Sequence, residues 1–137
     1  GVEVHNFLSI GEWIHEHFIL NLIPFRGKDK TLAAAKEYLN TDDIGGHGTE
    51  TIGNSILCSK QGFDGIIHIY PFTCMPEIVA QSTFGEIYKK YDTPIMSLVI
   101  DELSGEAGYV TRLEAFVDMI KNKKSLKDID LTDAVIN

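Results

Sequence analysis

Residues 62–100 read "GFDGIIHIYPFTCMPEIVAQSTFGEIYKKYDTPIMSLVI", and this stretch decides the fold. Its first apolar run, "DGIIHIY" (Asp64 to Tyr70), is short, β-branched and aromatic, which predicts a strand. Beyond Cys74, "PEIVAQSTFGEIYKKY" has helical character from about Pro76 to Tyr91. "PIMSLVI" (Pro94 to Ile100) is a second apolar strand. Strand, helix and strand, with both strands apolar throughout, is the pattern of a parallel pair joined by a crossover helix.

Working outward, the order extends in both directions. Upstream, Ile52, Ile56 and Leu57 predict a helix over about Glu50 to Gln61, stopped by Gly62. "DKTLAAAKEYLN" is an alanine-rich helix closed by Asn40. Ser9 and Glu12 form a capping-box pattern, and Ile10, Trp13, Ile14, Phe18 and Leu22 continue a helix from about Ser9 to Leu22. Val2 and Val4 alternate in "GVEVHNF", which predicts a short first strand. Downstream of Ile100, the acidic loop "DELSGEAG" precedes a helix with Val110, Leu113, Phe116, Val117 and Ile120 on one face. The lysines of "KNKK" (Lys121 to Lys124) read as the end of that helix, where they complement its dipole. Residues 124–137 are then a tail or a short helix. The expected fold is a single α/β subdomain over residues 1–137, a three-layer, Rossmann-like parallel sheet with helices on both faces. Such a sheet usually has more than three strands. Either another strand is hidden in the chain, or the sheet is shared with sequence outside it. The missing initiator Met points to a processed or excised piece.

The 137 residues are 44% hydrophobic and 23% charged, the balance of an ordinary globular domain with a core. No apolar run is long enough to cross a bilayer, and "FILNLI" is broken by Asn21. Glu3 and His5 stand where a secretory signal would be basic and then apolar. These features predict a cytoplasmic protein with no membrane partner. The net charge of −8 argues against a nucleic-acid surface, which needs a basic stripe. The two cysteines, Cys58 and Cys74, are too few to hold an iron–sulfur cluster or a structural zinc by themselves. Cys58, among apolar helix neighbours, reads as a small buried hydrophobe.

Ligands of open parallel sheets bind beyond the carboxyl ends of the strands. The loops there are "HNFLS", "PFTCMP" and "DELSGEAG", which bring Cys74, Asp101, Glu102, Ser104 and Glu106 to one edge. Cys74 also stands at a helix N-terminus, where backbone N–H groups and the helix dipole favour a thiolate. A functional thiol and a structural one are both compatible with that position. Among the histidines, His15 and His17 diverge on their helix and read as surface residues. His68, inside a strand, reads as a satisfied or half-buried structural residue. His47, between glycines, is left open between a mobile and a ligand-facing role. "GGHGTE" has the shape of an anion-binding loop, but Glu50 in the first helical turn would repel a phosphate. Arg112 and Glu114, in "TRLEAF", read as structural more than catalytic, with Arg112 within reach of the acidic loop at Asp101 to Glu106, which it could fix.

Four stretches, "ETIGNSILCSKQGFDG", "GFDGIIHIYPFTCMPEIVAQS", "YDTPIMSLVIDE" and "SGEAGYVTRLEAFVDMI", together resemble the CoA-substrate-specific enzyme activase family, related to the activators of 2-hydroxyacyl-CoA dehydratases. The similarity covers about residues 49–123 and falls in the region that is like the dehydratase subunits, not in the ATP-binding activator region, whose motifs are missing here. The resemblance implies a carboxyl-terminal subdomain of a longer protein. It implies that Cys74 is a ligand of a [4Fe–4S] cluster whose other ligands lie elsewhere, and that this isolated chain holds no cluster. The implied partners are other domains of the same polypeptide and a dehydratase or reductase. "PFTCMPE" follows the activase-like pattern, so dehydration itself is not implied. Beside an iron–sulfur module for CoA-thioester chemistry stand two other readings: a non-catalytic α/β interaction domain with a structural cysteine, and a thiol-nucleophile enzyme. The last lacks any His/Asp relay that the sequence places beside Cys74.

Overall fold

The computed structural model describes residues 1–7, 11, 14, 30–39, 47–102 and 105–136, with side chains described through Leu126. Its elements are helices α1 (Lys30–Ala35) and α2 (Gly48–Gln61), strand β1 (Ile66–Pro71), helix α3 (Met75–Tyr91), strand β2 (Ile95–Ile100) and helix α4 (Glu106–Ile136). The chain is α/β. The two strands pair parallel in a register that sets Ile66 against Ile95, His68 against Ser97 and Tyr70 against Val99. Hydrogen bonds from Ile66 N–H to the Pro94 carbonyl (2.9 Å) and from Phe72 N–H to the Ile100 carbonyl (3.0 Å) extend the ladder past both ends.

The core lies where α1, α2 and α3 meet. Ile52 and Ile56 of α2, Ala80, Phe84 and Ile87 of α3, and Ala35 of α1 form one buried cluster, flanked by Tyr91 and Ile95. Two glycines make this packing possible. A Cβ on Gly53 would sit 2.1 Å from the Thr31 carbonyl oxygen, so only glycine lets α1 approach α2 this closely. Gly62 ends α2 in the left-handed conformation, at φ 83°. There Gly62 N–H bonds the Ser59 carbonyl and Phe63 N–H bonds the Cys58 carbonyl, both at 3.2 Å. This paired closure satisfies carbonyls that the helix end would otherwise leave bare.

Three sequence expectations change. The segment "GVEVHNF" is not a strand. Val2 and Val4 are exposed, and the His5 and Phe7 rings instead pack edge-on against Phe63, each at 5.4 Å. Two alternating valines are too short a run to hold a ladder without cross-strand partners. The sheet of the described residues is thus two-stranded. Second, the helix does not end at "KNKK". It runs to Ile136, because no glycine or proline interrupts the chain after Gly108. The lysines act sideways instead: Lys123 bonds the Asp92 carbonyl (2.6 Å) and its carboxylate, and Lys124 meets Asp64 at 3.2 Å. They tie α4 to the turns that precede the two strands. Third, Arg112 is exposed on α4 and forms no ion pair with the described acidic loop. Tyr109 holds the start of α4 instead, donating to the Val99 carbonyl at 2.7 Å. Of the expected helix over Ser9 to Leu22 the described residues include Gly11 and Ile14, both helical; its histidines, and Ser104, lie outside the described residues. No helix among the described residues is long and apolar enough to cross a membrane.

Candidate functional site

Beyond the carboxyl end of β1 the chain turns sharply into α3. Cys74 N–H reaches back to the Pro71 carbonyl at 3.2 Å. Between them Thr73 has φ 66°, in the left-handed region. A β-branched residue there is strained, and such strain persists only where surrounding contacts enforce it. Cys74 is the N-cap of α3, and its thiol makes no capping hydrogen bond. Its carbonyl accepts the first helical bond, from Ile78 N–H, at 3.1 Å. Pro76 stands in the first turn, where its missing N–H costs nothing. Cys74 is half-buried and unpaired. Phe72 and Met75, on either side of it, are 67% and 66% exposed.

Cys58 contrasts with it in every respect. It is buried within α2, and burial pushes its thiol pKa up. Desolvation of this kind disfavours the thiolate and makes the sulfur inert. The reading of Cys58 as a packed hydrophobe holds.

One turn into α3, Glu77 organises a row of buried polar groups. Its Oε2 accepts from His68 Nε2 at 2.8 Å, and its Oε1 accepts from the Thr51 hydroxyl at 3.2 Å. His68 Nδ1 lies 3.2 Å from the Ser97 hydroxyl on the neighbouring strand. In the neutral ring, a tautomer assigned from this network, Nδ1 accepts from Ser97. The imidazole is stacked on Tyr70 at 4.8 Å and meets the Phe84 ring edge-on at 5.0 Å. Burial alone would raise the Glu77 carboxyl. The hydrogen bonds from His68 and Thr51, with the charges of His68 and His47, outweigh it and hold the pKa below its ordinary value. Thr51, His68, Glu77 and Ser97 come from α2, β1, α3 and β2, so the row joins four elements at one point. The first turns of α2 and α3 converge there, beside the strand end that leads to Cys74.

Sequence reasoning placed His68 correctly as a satisfied structural residue. It missed Glu77. An acidic residue in the first helical turn reads as an exposed partner of the helix dipole, yet this one is 8% exposed and turned inward. The signal was the even spacing of His68 and Tyr70 along β1, which puts both on the face that α3 covers. His47, just before α2, has its Nδ1 2.6 Å from Glu50 Oε2, one turn further on. Asp101 and Glu102 follow β2 as expected, the first half-buried and the second exposed, and Glu106 opens α4 in an exposed position.

The row Ser97–His68–Glu77 has the order of a nucleophile, base and orienting acid. Ser97 stands in the middle of β2 and not at its carboxyl end, where ligands reach such sheets. What the geometry shows of the row is that it joins four elements through hydrogen bonds. Among the described residues no group of three or more histidine, cysteine or acidic side chains is placed to hold a metal ion. Of the two free cysteines, Cys58 is buried and Cys74 half-buried. No family model, curated protein or solved structure matches this chain.

Proposed function

We infer that this chain is the dehydratase-subunit-like α/β subdomain of a CoA-substrate-specific enzyme activase, a cytoplasmic protein, and that Cys74 supplies one ligand to a [4Fe–4S] cluster completed by other segments of the polypeptide. The observation that carries this reading is the way Cys74 is presented. The thiol is unpaired, takes no part in capping and is half-buried at a helix N-terminus beyond a parallel strand, behind a strained Thr73. The resemblance of residues 49–123 to the activase family adds the identity of the cofactor. Bound there, such a cluster supplies electron transfer for chemistry of the 2-hydroxyacyl-CoA dehydration type. This chain's own part is to hold one sulfur at a fixed place.

Exposed apolar side chains around the cysteine support a shared site. Phe72, Met75 and Ile78 are 67%, 66% and 42% exposed at the start of α3. Apolar groups gathered at one place mark surfaces that another body covers. The three-layer, Rossmann-like sheet belongs to the same proposal: β1 and β2 are two strands of it, and the rest comes from the parent polypeptide. The exposed face of β1 also favours a second reading, a non-catalytic interaction domain whose cysteine is structural.

Anaerobic reconstitution of the full-length polypeptide with iron and sulfide separates the two. Cys74→Ser is expected to lower the bound iron and to change the visible absorption and electron-spin resonance spectra. Iron content and spectra equal to those of the wild type would remove Cys74 from the ligand set and leave the interaction domain.

A further inference from the structure

We propose that Glu77 is a positioning residue for Cys74: the buried row Thr51–Glu77–His68–Ser97 clamps the first turn of α3 and thereby fixes where the thiol stands. This rests on the reading of Cys74 as a ligand, since a ligand must be held in place before its cofactor arrives. The geometry makes the connection. Glu77 lies three residues after Cys74, on the same helical turn, and the Cys74 carbonyl is already committed to Ile78 N–H. A side chain at this position of a capping box usually folds back to the N-cap N–H. Here the Cys74 N–H goes to the Pro71 carbonyl, and the carboxylate turns inward to His68 and Thr51.

Each partner of the carboxylate is itself held. His68 is gripped by Tyr70, Phe84 and Ser97, and Thr51 sits in the first turn of a helix packed into the core. The turn that leads into α3 is strained at Thr73, with φ 66°, and such strain persists where surrounding contacts enforce it. Cutting the clamp is expected to open the first turn without opening the core.

The two cysteines make this measurable in the 137-residue chain. Alkylation by iodoacetamide, followed by mass spectrometry across a range of pH, gives a rate plateau at high pH for each thiol. That plateau reports access to the thiolate, whatever fraction is ionised. Cys74 reports the turn, and Cys58 reports opening of α2 and the core. With Glu77→Ala the Cys74 plateau is expected to rise about tenfold, the change that losing a buried hydrogen-bond partner brings to a local opening equilibrium. Cys58 stays protected. Glu77→Gln, which keeps the shape and both contacts after a change of His68 tautomer, is expected to restore the wild-type plateau. If Glu77→Ala does not fold, Thr51→Val removes one bond at little change in volume and is expected to give a smaller rise.

An unchanged Cys74 plateau in Glu77→Ala, or in Thr51→Val where only that variant folds, overturns the proposal. So does a rise shared equally by Cys58, and so does a Glu77→Gln variant that behaves like Glu77→Ala. The readout needs no iron. A cluster unaffected by Cys74→Ser would sink the proposed function while leaving the clamp to stand or fall on these rates.

Discussion

On one face of the β1–β2 sheet, His68 and Tyr70 are buried beneath α3. On the other, Ile67 and Ile69, each one residue away along the same strand, are 39% and 60% exposed. The polar residue is inside and the apolar ones are outside. His68 tolerates burial because both its ring nitrogens have partners, from Glu77 and Ser97. Ile67 and Ile69 lose the benefit of burial because nothing among the described residues covers them. The cover is uneven along β2: Leu98, paired with Ile69 in the register, is 4% exposed, while Ile100, two residues on, is 49% exposed. The difference teaches that α3 finishes one face of this sheet, while among the described residues the other face is left partly open.

The largest effects are expected on the finished face. Ile56 is fully buried in the helix cluster. Ile56→Ala is expected to lose about 2–5 kcal/mol, from lost transfer energy and the cavity left behind. Urea unfolding checks it, and a loss below about 1 kcal/mol would mean that α1, α2 and α3 do not pack as described.

Gly53→Ala tests the same region from the opposite direction. The added methyl meets backbone at Thr31, which cannot rotate away, so α1 must shift. Overpacking of this kind costs about 1–3 kcal/mol. A thermal melt unchanged from wild type would show that α1 does not sit against α2.

The polar row makes the comparison depend on pH. The Glu77 carboxyl is held below its ordinary value, so its contribution is present above the unfolded value of about 4.3 and is lost as pH falls through the lower folded value. Glu77→Ala is expected to cost about 1–3 kcal/mol at pH 7, because it leaves His68 and Thr51 without their acceptor. That deficit shrinks below about pH 4 as the wild-type carboxyl protonates. Denaturant titrations at several pH values read it. A deficit that grows in acid would reverse the sign and refute the arrangement.

The smallest effect belongs to the open face. Ile69→Thr, on a residue 60% exposed, is expected to change the stability of this chain by no more than about 0.5 kcal/mol. The same substitution in the full-length polypeptide sharpens the comparison. A cost well above that in the longer protein alone would show that a neighbour covers β1.

Much of the centre of this fold was legible in residues 62–100. The helix from Met75 to Tyr91 lies within a residue of the expected one, and both strands fall where their apolar runs do. Short apolar β-branched runs on either side of a helix leave few alternatives to parallel pairing. The position of Cys74 at a helix N-terminus was legible too, because Pro76 fixes where the helix begins. The expected first strand was not there, because alternation of two valines is a local pattern and a strand is a paired object. Its residues found an aromatic ring, Phe63, and no ladder.

What the sequence determined by itself was therefore the local material: the two strands, the helix between them, the glycine that stops α2 and the cysteine at the turn. Periodicity, β-branching and turn residues act over a few neighbours, and a single chain displays them directly. Only the tertiary structure decided which side chains share a face and which find a partner. Glu77 and His68 are nine residues apart, and Thr51 lies 26 residues before Glu77. Lysines that read as a helix end became ties to two turns, 31 and 60 residues away in sequence. A charge placed at a helix start has water as its default partner, and it turns inward only when packing delivers a donor that compensates for the lost hydration.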